Sequence, residues 1–199
     1  MLAHMTNKAL IVIDVQESFR QRPNWVASSN PDIVGSVNRL VDHARSRGDK
    51  VVWMLHTEPG SGNVFDPALG HVRLMDGLEP ADGEPVLPKT SVNSFTTTSL
   101  AQLLTTWGVS ELTICGIRTD QCCETTTRIA ADLGYQVTFV TDATATTPIP
   151  HPDAYEWDID DVLADPRTLS TKDIIDRVER TLAGRGFATV STIDEVTAR

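Results

Sequence analysis

The sequence predicts an α/β protein built on a parallel sheet with helices on both faces. Apolar, β-prone runs at 9–15, 51–55 and 112–117 read as strands buried on both faces, as parallel strands are. They alternate with segments whose apolar residues recur every three to four positions, the helical period. Strand–helix alternation of this kind forms a parallel sheet covered by helices.

Residues 9–15, ALIVIDV, are apolar except for Asp14 at the carboxyl end, where open parallel sheets bind ligands. Taken alone, Asp14 is better read as a carboxylate capping the next turn. Phe19 and Trp25 follow in a loop, as a pocket wall or a subunit contact. Asn30 caps a helix that Pro31 opens, with Ile33, Val34, Val37, Leu40, Val41 and Ala44 as its apolar face up to Gly48. The strand at 51–55 ends in His56, either a structural residue or a pocket lining. Residues 58–85 form a long Gly- and Pro-rich loop, and 86–89 a short strand ending in Lys89, which composition alone reads as a surface lysine. Leu100, Leu103, Leu104 and Trp107 mark an amphipathic helix ending at Gly108.

The most informative stretch is 112–135, LTICGIRTDQCCETTTRIAADLGY. Leu112, Ile114 and Ile117 make a strand with Gly116 at its end. Thr119 or Asp120 is the expected N-cap of a helix carrying Ile129, Ala130 and Leu133 on one face and stopping before Gly134. Cys122 then falls in the first turn, where unpaired N–H groups and the helix dipole favour thiolate and lower the pKa below about 8.5. Considered alone, the catalytic and structural readings of Cys122 balance. Cys115, inside the strand, and Cys123, about 100° further round the helix, read as packing. Beyond lie a strand at 136–141, Asp142 as a loop anchor, and a proline-rich lid or oligomer contact at 146–169 with a short helix over 158–164. Ser170 or Thr171 caps a last helix carrying Ile174, Ile175, Val178 and Leu182, and 187–192 supply the final strand.

At 199 residues, 40% hydrophobic, the chain suits one core, and a single domain over 1–199 is expected, with 1–7 outside the fold and Met1 to Met5 an extended start or remnant. A net charge of −10 argues against nucleic acid or an anionic membrane as partner. Three cysteines make no disulfide framework, and the N-terminus has no long apolar run, so a cytoplasmic location is expected.

The run from Gly116 to Thr126, GIRTDQCCETT, resembles the G-x-x-T-x-x-C-V-x-x-T signature of the isochorismatase-like cysteine hydrolases, the superfamily of nicotinamidase, N-carbamoylsarcosine amidohydrolase and ureidoacrylate amidohydrolase. Asp14-Val15-Gln16 with Phe19 resembles its D-x-Q motif with a following aromatic. Lys89, Ser94-Phe95 and Asp142-Ala143 match in order, and the resemblance spans roughly residues 8 to 195. It implies a Rossmann-like three-layer fold with a central six-stranded, mostly parallel sheet. It also implies Cys122 as nucleophile, Asp14 as general base and Lys89 as third catalytic group, cleaving a small amide, carbamoyl or ureido compound through a thioester. The backbone N–H groups of Arg118 and Cys122 would form the oxyanion hole, beside a cis peptide at Ile117–Arg118. Gln16, Phe19, Trp25, His56, Arg118 and Thr119 are the candidate substrate contacts, and relatives suggest a homodimer or homotetramer.

Two departures matter. The metal-binding D-x-H of nicotinamidases has no counterpart, since His56, Asp66 and His71 are differently spaced, and no G-x-G-x-x-G opens the first helix, so neither metal nor other cofactor is expected. Arg118 stands where the family usually has a small residue. Its guanidinium either meets a substrate carboxylate or carbonyl, or turns outward to Asp120 or Glu124. Cys122 weighs against the vinyl ether hydrolysis of isochorismatases, which lack that nucleophile. A redox-responsive binding protein, the other alternative, would need no general base.

Overall fold

The computed structural model describes residues 6–198. Six strands, β1 (Lys8–Ile13), β2 (Lys50–His56), β3 (Val86–Lys89), β4 (Glu111–Ile117), β5 (Gln136–Ala145) and β6 (Thr189–Ser191), form one sheet in the order β3-β2-β1-β4-β5-β6. Every pairing is parallel. Because successive strand residues point to opposite faces, the apolar runs feed two cores. Leu10, Val12, Val51, Trp53 and Cys115 meet α1 (Ile33–Arg47) and the C-terminal α6 (Ile193–Thr197) on one side. Ala9, Ile11, Ile13, Val52, Met54, Ile114 and Phe139 meet α2 (Leu100–Thr106), α3 (Glu124–Asp132) and α5 (Thr171–Gly184) on the other. The expected three-layer architecture is therefore present, and continuous hydrophobicity along β1 is the requirement of facing helices on both sides.

Several local expectations are corrected. The α1 cap is Asp32, whose carboxylate accepts from the Gly35 N–H, while the Asn30 amide donates to Ser36 Oγ and to the Asp142 and Thr144 carbonyls. Ser170 caps α5 as expected, yet α5 is not the last helix, since α6 follows with a Thr192–Glu195 capping box. The fifth strand runs on through Asp142 to Ala145, and Asp142 accepts from the Ile193 N–H, anchoring α6. Leu133 is exposed, and α3 buries Thr126, Thr127 and Ala130 instead. Of the N-terminal residues set outside the fold, Asn7 is tied in by its carbonyl, which accepts from Ser110 and Glu111; Met1 to Met5 lie outside the described residues. The 58–85 segment carries a 3-10 turn at Pro67–Leu69 and an isolated antiparallel bridge from Leu74 to Gln16, and the short α4 (Ile159–Ala164) is where expected. Among the described residues no helix is long and apolar enough to cross a membrane.

The sheet reverses its winding between β1 and β4, and the crevice at their carboxyl ends is where such folds place ligands. Gly116 sets how closely those strands approach. Its φ is 126°, and a Cβ there would stand 2.0 Å from the Ile13 carbonyl oxygen and 2.7 Å from the Ile13 nitrogen. Backbone cannot yield as a flexible side chain can. Gly116→Ala is expected to destabilise by on the order of 4 kcal/mol or more, or to prevent folding. Urea unfolding measures it, and a near-unchanged midpoint would contradict so close an approach.

Candidate active site

Three side chains from three strand ends meet in this crevice. Asp14 immediately follows β1, Lys89 closes β3 and reaches past β2, and Cys122 lies in the turn after β4. Lys89 Nζ stands 2.8 Å from Asp14 Oδ2 and 3.4 Å from Cys122 Sγ. Asp14 and Lys89 have no solvent exposure, and Cys122 keeps 8%. Asp14 is the one described non-glycine residue with positive φ, 54°, a region that Asp tolerates better than most residues. Its N–H donates to the Met54 carbonyl, which fixes the carboxylate at the strand end.

Lys89 is held as an ammonium. Besides Asp14 and Cys122, the Ser91 and Val92 carbonyls stand 3.1 Å from Nζ and His56 Nδ1 stands 3.5 Å from it, so the three N–H groups of Lys89 are shared among these acceptors. Burial opposes its charge, but Asp14 and Cys122 outweigh that and raise its pKa. An ammonium has no lone pair, so His56 Nδ1 is the acceptor. The other ring nitrogen, Nε2, then donates to Glu58 Oε1 at 3.1 Å. His56 thus lines the site through the lysine.

The Asp14 carboxyl is pushed up by burial, against the opposing pull of Lys89. No backbone N–H or hydroxyl among the described residues shares its load; its neighbours are the ammonium and the thiol. Cys122 behaves opposite to the sequence expectation. Burial first, then the Asp14 carboxylate, push its thiol up to about 12, with Lys89 pulling the other way. Both influences favour the protonated sulfur, which lies close to a carboxylate. Burial likewise raises Cys115 and Cys123, and both pack in the core as expected.

The local path of the chain explains the difference. The peptide Ile117–Arg118 is cis, as the family resemblance implies, and Thr119–Cys123 then form a π-helical turn before α3 begins at Glu124. Cys122 therefore precedes the α-helix and does not lie in its first turn. Neither Thr119 nor Asp120 is the cap: Thr119 Oγ1 donates to Thr144 Oγ1, and Asp120 accepts from Thr146 Oγ1. The Arg118 N–H has no hydrogen-bond partner among the described residues. Glu124, buried, anchors the start of α3 through Arg128 and through Arg177 of α5.

The candidate substrate contacts divide. Gln16 is fully buried, with its amide donating to the His56 carbonyl and its Oε1 accepting from the His56 N–H, so it ties the end of β1 to β2. Thr119 is likewise used internally. Phe19 packs edge-on against Phe65, and Trp25 rests half-buried on the α1-side core. Asp66 accepts from the Gly62 and Ala68 N–H groups of its own loop. Arg118 pairs with neither of its expected acidic partners: Glu124 is taken by Arg128 and Arg177, and no carboxylate lies within ion-pair distance of its guanidinium among the described residues. The two carbonyls that hold Lys89 could not have been found beforehand, because a backbone oxygen has no sequence signature.

A parallel sheet with this crevice is the fold of isochorismatase-like hydrolases. An isochorismatase from Pseudomonas putida KT2440 superposes with a TM-score of 0.81 at 29% identity, over 97% of this chain and 91% of that one. The isochorismatase domain family matches residues 8–169, and the chain belongs to that family. A streptothricin hydrolase of Streptomyces noursei is 37% identical over 145 residues, 72% of this chain and 56% of that protein. The ureidoacrylate amidohydrolase RutB of Variovorax paradoxus (strain S110) is 29% identical over 175 residues, 71% of this chain and 69% of that one.

Proposed function

We propose that this chain hydrolyses a small amide, carbamoyl or ureido compound through a thioester on Cys122, with no metal. The observation that carries the reading is one buried ammonium in contact with both a carboxylate and a thiol, at 2.8 and 3.4 Å. The kinship with an amidohydrolase supports the bond cleaved.

In the first half-reaction Cys122 Sγ attacks the carbonyl carbon as its proton passes to Asp14. The carbonyl electron pair moves onto oxygen, facing the backbone N–H groups of Arg118 and Cys122, where each such donor is typically worth about 3 kcal/mol of barrier. Collapse breaks the C–N bond, and Asp14 returns the proton to the departing nitrogen. Water then attacks the thioester, Asp14 takes its proton, the C–S bond breaks, and the sulfur regains a proton as the acid leaves. Lys89 holds the carboxylate ionised and fixes both groups in place. A thiol with a raised pKa is workable here because proton transfer accompanies attack.

The test is ammonia release from a panel of primary amides, carbamoyl amines and ureido acids, with wild type and Cys122→Ala side by side in EDTA. Cysteine-dependent, chelator-insensitive release is expected. Release that survives Cys122→Ala would rule the thioester out.

A further inference from the structure

His56 is held more firmly than a residue that only lines a wall would need. The register pairs it with Lys89 across β2 and β3, and neighbours in register send their side chains to the same face of the sheet. Gln16 engages both of its backbone groups, accepting from the N–H at 2.7 Å and donating to the carbonyl at 3.0 Å. The ring stands edge-on to Phe65, with centroids 5.4 Å apart. Its Nε2 donates to Glu58 Oε1 at 3.1 Å, which leaves the bare Nδ1 3.5 Å from Lys89 Nζ. An Nδ1–H would instead set a donor against the ammonium.

Glu58 is fixed in turn by the loop that follows β2. Its second oxygen accepts from Asn63 Nδ2 at 2.6 Å, and its N–H donates to the Phe65 carbonyl at 2.8 Å. Asn63 first, then His56, hold its carboxyl below the usual range against the effect of burial, and Arg22 acts in the same direction from further off. The Glu58 side chain is 41% exposed, that of His56 16% and that of Lys89 not at all. Glu58, His56, Lys89 and Asp14 therefore form one file of contacts leading from solvent to the buried carboxylate.

The ammonium has three N–H groups and five neighbouring acceptors: Asp14 Oδ2, the Ser91 and Val92 carbonyls, Cys122 Sγ and His56 Nδ1. An N–H engaged by one acceptor is withdrawn from the others, and the bond made by one imidazole nitrogen decides which form the other takes. We propose that His56 and Glu58 are positioning residues for Lys89: Glu58 fixes the ring in its Nε2–H form, and the bare Nδ1 draws an ammonium N–H away from the sulfur. Neither residue touches the reacting atoms. In the hydrolysis proposed above, on which this role rests, the arrangement keeps the proton on Cys122 until attack, when Asp14 takes it.

Two readouts test this without a known substrate. The nitrogen NMR shifts of isotope-labelled histidine report the tautomer, with the His56 signal assigned by its loss in His56→Asn. Iodoacetamide alkylation of Cys122 at fixed pH, followed by peptide mass, reports the sulfur, while Cys115, fully buried in β4, must stay unmodified as the sign that each variant is folded. Wild-type His56 is expected in the neutral Nε2–H form. His56→Leu removes the acceptor and should speed alkylation roughly 10-fold, the lower end for one hydrogen bond to a charged group. His56→Asn keeps an oxygen acceptor near the Nδ1 position and should return most of the way to the wild-type rate. Glu58→Ala should speed alkylation less, and should add nothing in the His56→Leu background, since it acts through the ring. An Nδ1–H or imidazolium His56 at neutral pH, an unchanged rate in His56→Leu, or additive effects of the two substitutions overturns the proposal. Such a failure would leave cysteine-dependent ammonia release standing, whereas release that survives Cys122→Ala would remove the thioester and leave these readouts as expected.

Discussion

Asp14→Asn is expected to make Cys122 easier to ionise and yet to stop turnover. The carboxylate raises the thiol pKa and Lys89 lowers it, so removing the carboxylate leaves the ammonium acting alone. The midpoint for alkylation of Cys122 should fall from about 12, because the thiolate becomes the anion that neutralises Lys89. Catalysis should nonetheless fall by roughly 10³-fold, within the range for loss of a general acid–base. A ready thiolate cannot protonate a leaving amine or deprotonate the water that follows. Circular dichroism and thermal unfolding of the variant accompany both readings, because unfolding alone would also bring the midpoint down toward the free-thiol value of about 8.5. An unchanged or higher alkylation midpoint, or retained turnover, would contradict the role given to Asp14.

Lys89→Met should damage both stability and activity. It leaves Asp14 buried without its cation, and breaking such a pair typically costs about 3–5 kcal/mol. The sign of the pH dependence follows from the Asp14 shift. Burial already raises that carboxyl above its unfolded value, and losing Lys89 raises it further. A carboxyl raised on folding contributes stability that is fully present below its unfolded pKa, about 3.9, and is lost as pH rises through its folded pKa. The deficit of Lys89→Met relative to wild type should therefore be smallest in acid and grow toward neutrality. Any residual activity should have its acid limb displaced upward, since Asp14 must be ionised to act. Thermal unfolding across pH measures the first effect, and a deficit that shrank toward neutrality would contradict it.

How much of this was legible in the sequence depends on whether a feature is local. Asp14, Lys89 and Cys122 each end or follow an apolar run, but taken alone they read as a turn cap, a surface lysine and an evenly balanced thiol. The family resemblance, through their order and spacing, is what singled them out and supplied the roles proposed for them. The Cys122 pKa was misjudged because a helix-terminus argument contains the dipole but not the burial, nor a carboxylate 108 positions away in the chain. The π-helical turn at Thr119–Cys123 left no signal, since its residues would equally suit a capped α-helix. The α6 helix was legible and missed: Thr192 with Glu195 is a capping box visible in the sequence. The use of the Gln16 amide in joining β1 to β2 was not visible in its motif, because its partners are backbone groups 40 positions away. Arg118 could not be settled from sequence, because whether Glu124 was free depended on Arg177, 53 residues further on.

The most direct test of the central claim is to look for the bond itself. Wild type is mixed with a substrate from the amide panel, quenched in acid within one turnover, and weighed intact and as peptides. An acyl or carbamoyl adduct is expected on the peptide carrying Cys122, forming as ammonia is released and decaying with product, and absent from Cys122→Ala. Turnover with no adduct at any time, together with an active Cys122→Ala, would contradict the account.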